Sequence, residues 1–258
     1  MKVALVQLDI AWEDKEANLA RAEGFAREAA GAGAGLVCFP EMTLTGFSMN
    51  IGKTAEPDRG SAGRMAEIAK GCKTAIGFGW VEAFEGRAKN HYTVVSRTGD
   101  VLSDYVKLHP FSFANEERFF APGDALCRFS LGGFNVSTFI CYDLRFPEVF
   151  QAASREAHLI VVAANWPGAR AAHWRTLLAA RAIENQCYVA GVNCAGDIGA
   201  EHYSGDSMLV DPEGNIIQEL SGKEGIVSAA IEVDAVKKYR ASFPLKTDRR
   251  NALYKDIL

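Results

Sequence analysis

With 258 residues, 48% of them apolar, the chain can bury a sizeable core, and a single domain over residues 1–258 is expected. Its 28 Lys and Arg are interspersed with 32 Asp and Glu, so no cationic field exists for a phosphate backbone and nucleic acid is not an expected partner. The opening run Met1–Leu8 is too short and too polar at Gln7 for a signal sequence or a membrane span, so a soluble, cytoplasmic protein with no membrane partner is expected.

Taken in chain order, short apolar runs of strand character alternate with amphipathic segments. A strand over Val3–Leu8 precedes a helix near Glu13–Ala30; a strand over Leu36–Phe39 precedes a helix near Ala62–Lys70. The glycines of Gly31–Gly35 end a helix and precede a strand, the reverse of a phosphate-binding loop, so they read as a helix cap and turn. Strands follow at Thr74–Val81, Tyr92–Ser96 and Val101–Val106, then at Phe134–Ile140, Leu159–Ala163 and Val189–Asn193, with helices near Pro147–Glu156 and Ala171–Gln186. Two hairpins, Val94–Tyr105 around Thr98-Gly99-Asp100 and Met208–Leu220 around Glu213-Gly214-Asn215, hint at an internal repeat. These βα units and hairpins suit an α/β fold of two mixed sheets stacked face to face, with helices outside.

The six cysteines lie far apart without a C-x-x-C pair and read as reduced thiols. The five histidines are scattered and no H-E-x-x-H occurs, so neither metal nor cofactor is expected.

Three reactive residues stand at the exits of separate strand-like runs, where α/β folds gather their active sites. Cys141 ends the apolar run from Phe134, and a helix-compatible run starts at Pro147, which puts the thiol on a strand-to-helix turn with backbone N–H groups free for an anion. The glycines of a G-x-S-x-G elbow are missing. Glu41 closes Leu36-Val-Cys-Phe-Pro-Glu41, and Lys107 follows the second hairpin strand in Asp104-Tyr-Val-Lys-Leu-His109. Alone, Glu41 or Lys107 reads as a solvated surface group and Cys141 as a small buried hydrophobe; the three together point to chemistry.

Phe39-Pro40-Glu41-Met42, Lys107-Leu108-His109 and Cys141-Tyr142-Asp143-Leu144-Arg145-Phe146-Pro147-Glu148 resemble, in order and interval, the Glu-Lys-Cys motifs of the nitrilase, or carbon–nitrogen hydrolase, superfamily. The likeness continues through Ala164-Asn165-Trp166-Pro167, His173-Trp174, Ala179–Gln186 and Phe243-Pro244. Within the superfamily the chain is most similar to ω-amidases, which release ammonia from monoamides of small dicarboxylic acids such as α-ketoglutaramate and α-ketosuccinamate. The resemblance implies a four-layer α-β-β-α sandwich, a homodimer and a cysteinyl thioester mechanism. In it Cys141 is the nucleophile, Glu41 the base, and Lys107 with the Tyr142 backbone N–H the oxyanion site. A neighbouring base or cation is expected to favour the Cys141 thiolate. The Ala114–Gly123 stretch aligns with the family's second glutamate, assigned to Glu116 with Glu117 as its neighbour; its role is to hold Lys107 or the amide. Arg145 is a candidate for the substrate carboxylate or a structural clamp on the turn, and Trp166 a candidate pocket wall.

Other readings share the residues. A deaminated-glutathione amidase, an N-carbamoyl amide hydrolase or a nitrilase would use the same triad. A papain-like enzyme would pair Cys141 with His109, His173 or His202. A binding protein on this scaffold would leave the triad silent.

Overall fold

The computed structural model describes residues 1–199 and 201–257. Strand β1 (Lys2–Gln7) leads to helix α1 (Lys15–Gly31), whose Asp14 N-cap carboxylate accepts the Ala17 N–H. After α1 the chain reverses through Gly33, at φ +85°, into β2 (Leu36–Cys38), so the glycine stretch is a helix end and turn. The short α2 (Ile51–Thr54), α3 (Gly60–Cys72), β3 (Ala75–Phe84), β4 (Arg87–Val95) and β5 (Val101–Val106) complete the first half.

The second half repeats that plan. It comprises α4 (Glu116–Phe119), β6 (Arg128–Leu131), β7 (Phe134–Ile140), α5 (Pro147–Ala153), β8 (Leu159–Ala164), α6 (Ala171–Asn185), β9 (Tyr188–Asn193), β10 (Ala195–Ile198), β11 (Glu201–Val210), β12 (Ile216–Ser221) and β13 (Gly225–Ala230). Helices α7 (Val233–Ser242) and α8 (Asn251–Ile257) follow.

One sheet runs β13-β1-β2-β3-β4-β5; the other runs β10-β11-β9-β8-β7-β6, with β12 also paired to β11. In each, three parallel strands (β1-β2-β3 and β7-β8-β9) pass into antiparallel strands (β4-β5 and β11-β12). This is the internal repeat, and both hairpins lie at matching places within it.

Alternation along β1 sets the layers. Val3 and Leu5 point to the core shared with Val136, Ile160, Val162 and Val189 of the other sheet. Ala4 and Val6 point the other way, onto Ala22, Ala26 and Ala29 of α1 and Met65 and Ala69 of α3. On the far side α6 lies close on β9: a Cβ at Gly191 would stand 2.3 Å from Leu178 and 2.8 Å from Trp174. Two mixed sheets lie between outer helices, the α-β-β-α arrangement the sequence implied.

Candidate active site

Glu41, Lys107 and Cys141 leave β2, β5 and β7 at one end of the stacked sheets, and the structure brings them together. Glu41 is fully buried, and the backbone carrying it crosses directly over β3. Gly79 permits this, because a Cβ there would meet Met42 N at 2.2 Å and Glu41 Cα at 2.9 Å. The crossing is fastened by Thr43, whose N–H donates to Gly79 O at 3.0 Å and whose hydroxyl oxygen accepts the Gly79 N–H at 2.9 Å. Each oxygen of the Glu41 carboxylate is engaged. Oε1 accepts from Lys107 Nζ at 2.9 Å and Asn90 Nδ2 at 2.8 Å; Oε2 accepts from the Asn165 backbone N–H at 3.0 Å. Asn165 in turn donates its side-chain amide to Glu41 O at 2.6 Å, so the acid is held from both sheets.

Lys107 is 1% exposed, and its ammonium sits between two carboxylates. It donates to Glu116 Oε2 at 2.9 Å and Oε1 at 3.1 Å, besides Glu41. Burial alone would lower its pKa; the charges of Glu116, Glu41 and Cys141 outweigh that and hold it above the ordinary lysine value. Glu116 is equally buried and receives the Phe111 N–H at 2.5 Å, while Glu117 lies exposed, so Glu116 is the carboxylate that meets the lysine. Burial raises the Glu116 pKa, with Lys107 opposing and Glu41 adding to the rise.

Cys141 opens a 3-10 turn, Cys141–Arg145, with φ +45°, a left-handed backbone uncommon for a side-chain-bearing residue. Asp143 anchors the turn from beneath. Its buried carboxylate accepts the Ile140 N–H at 3.0 Å, the Tyr105 hydroxyl at 2.8 Å and the His109 N–H at 3.0 Å, and meets His109 Nδ1 at 2.7 Å. Arg181 of α6 clamps it from above, donating to Leu144 O at 2.8 and 3.1 Å. Clamping the turn therefore falls to Arg181, not Arg145. Burial, then the Glu41 charge, push the Cys141 thiol well above its ordinary pKa; Lys107 opposes, while Glu116 and a hydrogen bond with Glu41 add to the rise. This differs from the expected thiolate. The Glu41 charge and hydrogen bond thus favour the thiol over the thiolate.

Above the triad opens a cavity of about 310 Å³ whose lining includes Phe47, Phe111, Cys141, Tyr142, Asn165 and Trp166. Trp166 is nearly buried and still forms part of that wall, its indole N–H held by Arg170 O at 2.9 Å. Arg145 lies over the Trp166 ring, 4.6 Å from its centre, and among the described residues has no carboxylate partner; its one side-chain hydrogen bond is with His173 Nδ1 at 3.5 Å. None of the histidines bonds to Cys141: His109 is taken by Asp143 and stacked on Phe146, His173 meets Arg145, and His202 meets Asp197 on the surface. Among the described residues no cluster of acids, cysteines and histidines has a metal-binding arrangement.

Sequence reasoning did not single out Asn90, Asn165, Asp143 or Arg181. Asn165, Asp143 and Arg181 lie inside the motif stretches that carry the family likeness, so a signal for them existed; Asn90, in a polar run of β4, carried none.

The carbon-nitrogen hydrolase family model matches residues 2–241, and the chain belongs to that family, enzymes that hydrolyse carbon–nitrogen bonds. Two relatives stand out. The 2-oxoglutaramate amidase of Bacillus subtilis (strain 168) is 32% identical over 256 residues, covering 98% of each chain. The omega-amidase YafV of Escherichia coli (strain K12) is 34% identical over 251 residues, covering 96% of each. A solved structure of a variant amidase from Nesterenkonia sp. AN1, in which acrylamide has added to the active-site cysteine, superposes with a TM-score of 0.90 at 27% identity and 100% coverage of both chains.

Proposed function

We propose that this protein is an ω-amidase, releasing ammonia from the terminal amide of a small dicarboxylic acid monoamide such as 2-oxoglutaramate. One observation carries the reading: a buried Glu41–Lys107–Glu116 cluster lies beside Cys141, and that thiol lines a cavity whose wall also holds the guanidinium of Arg145, which has no carboxylate partner among the described residues. The two amidase relatives support the substrate class.

The chemistry follows from the charges. Cys141 attacks the amide carbon as its proton passes to Glu41; sulfur bonds to carbon and the carbonyl electrons move to oxygen. Lys107 and the Tyr142 N–H, at the open first turn of the 3-10 segment, stabilise that oxyanion. Glu41 returns the proton to nitrogen, the carbon–nitrogen bond breaks, and ammonia leaves a thioester. Water then gives its proton to Glu41 and attacks the thioester carbon, and the departing thiolate recovers the proton. Glu116 keeps Lys107 charged and in place throughout. Arg145 receives the distal carboxylate as a two-pronged donor, and Trp166 forms the wall beneath it.

The pocket is also charged in the direction this substrate needs. Beside Cys141 the buried cluster sets two carboxyl groups against one ammonium, so an anionic group is disfavoured there and the neutral amide is the end that suits the thiol. The reading includes a cytoplasmic homodimer, supported by the family resemblance and by six unbridged cysteines. The test is ammonia release from 2-oxoglutaramate, deaminated glutathione, a carbamoyl amino acid and a nitrile. The highest kcat/KM is expected for 2-oxoglutaramate; turnover of another compound at a higher kcat/KM moves the assignment to that branch, and no turnover of any leaves a binding protein.

A further inference from the structure

Among the described residues two guanidinium groups, those of Arg145 and Arg170, line the cavity, and only Arg145 has a role above. Arg170 ends the 3-10 turn Gly168–Arg170 and immediately precedes α6. Its backbone is pinned on both sides: its N–H donates to Pro167 O at 2.9 Å, and its carbonyl accepts the Trp166 indole N–H at 2.9 Å. The guanidinium lies 5.2 Å from the centre of the Phe113 ring and 5.9 Å from that of Phe111. Farther along, Arg175 pairs with Asp206 and Glu219, and Arg181 with Glu184; among the described residues Arg170 has no ion pair.

An arginine normally places its five donors on carboxylates, carbonyls or water. Here the fork is set against aromatic rings in the cavity lining, on a backbone that hydrogen bonds hold still. Among the described residues Glu201 is the one carboxylate in that lining, so with Arg145 and Arg170 its formal net charge is one positive. That matches a monoanion. One arginine over Trp166 and a second over Phe111 and Phe113 flank the space the distal end of a bound amide would fill.

We infer that Arg170 is a specificity-determining residue: with Arg145 it forms a two-guanidinium clamp for the carboxylate end of an anionic monoamide. The inference rests on the ω-amidase reading. It acts on recognition alone, because Arg170 is not among the partners of Glu41, Lys107 or Cys141.

The experiment compares 2-oxoglutaramate with pentanamide, an uncharged amide of the same carbon length, in the wild-type, Arg170→Ala and Arg170→Lys proteins. Arg170→Ala is expected to lower kcat/KM for 2-oxoglutaramate by roughly 10- to 100-fold, mainly through KM, the effect of one lost hydrogen-bonded charge contact. Turnover of pentanamide stays within about twofold, and Arg170→Lys restores part of the loss. A wild-type preference for the anion that survives in Arg170→Ala overturns this inference alone. An equal loss on both amides assigns Arg170 to holding the fold and also overturns it. No wild-type preference for the anion overturns the monoamide reading and the clamp with it.

Discussion

The two ends of the cavity are built on opposite principles. At the inner end every charge is buried and answered: Lys107 by Glu41 and Glu116, Glu41 by Asn90 and Asn165, and the Cys141 turn by Asp143 and Arg181. At the outer end Arg145 and Arg170 lie on aromatic rings and have no carboxylate partners among the described residues, and Phe113 is 78% exposed. Buried charges in fixed hydrogen bonds cannot reorganise cheaply, which suits a site that must stabilise one developing charge. Unpaired cations on a partly open wall acquire their partner only when substrate arrives. Under the proposed ω-amidase function, the inner end sets the reaction and the outer end sets what is admitted to it.

The sharpest way to break this contrast is to remove the cation at the inner end. Lys107→Met leaves Glu41 and Glu116 buried together, and is expected to abolish turnover and cost about 3–5 kcal/mol of stability at neutral pH. The sign with pH is fixed by Glu116, whose folded pKa is already raised. A buried acid with a raised pKa stabilises the folded state where it is protonated and loses that contribution as pH rises. Urea denaturation should therefore show a smaller deficit near pH 5 than near pH 7; equal deficits would mean that the two carboxylates do not repel.

Glu41→Gln separates the base from the thiol. Amide turnover is expected to fall by at least ~100-fold with the loss of the proton acceptor. Yet the sulfur should become more reactive towards a disulfide reagent at neutral pH, because the carboxylate charge and hydrogen bond that raise its pKa are gone while Lys107 remains. A pH profile of labelling that shifts to higher pH in the variant would contradict the charge arrangement.

The smallest effect is expected at a residue belonging to neither end. His202→Ala, on the surface beside Asp197, should keep kcat/KM within about twofold and stability within ~0.5 kcal/mol. A large loss of turnover there, with Lys107 variants still active, would transfer the case to a cysteine–histidine enzyme.

Much of this was legible in the sequence, for identifiable reasons. The strands β1, β2, β8 and β9 are covered on both faces, so they appear as largely apolar runs, and β7 is an apolar and β-branched run with Asn135 and Ser137 within it. Their exits carry Glu41 and Cys141, and the hairpin ahead of Lys107 has a Gly-containing turn. The early part of β11 was not legible: Gly205 and Asp206 both have positive φ and the pairing with β12 shifts there, which destroys the two-residue period. Helix α7 buries only Val236, so it has no apolar face to detect. In the site, Glu116 emerged only through the family likeness, since an acid in a charged loop looks solvated until the fold buries it. Asn90 could not be found at all. An amide in a strand has no chemical signature until two carboxylates are placed beside it.

The left-handed backbone at Cys141 has a consequence beyond reactivity. A residue with a Cβ pays roughly 1–3 kcal/mol to occupy such a conformation, and glycine does not. Selection for sturdiness alone would therefore drive this position towards glycine and leave a tougher but inert polypeptide. In this fold durability and activity compete for the same residue, and the sulfur marks where activity prevailed.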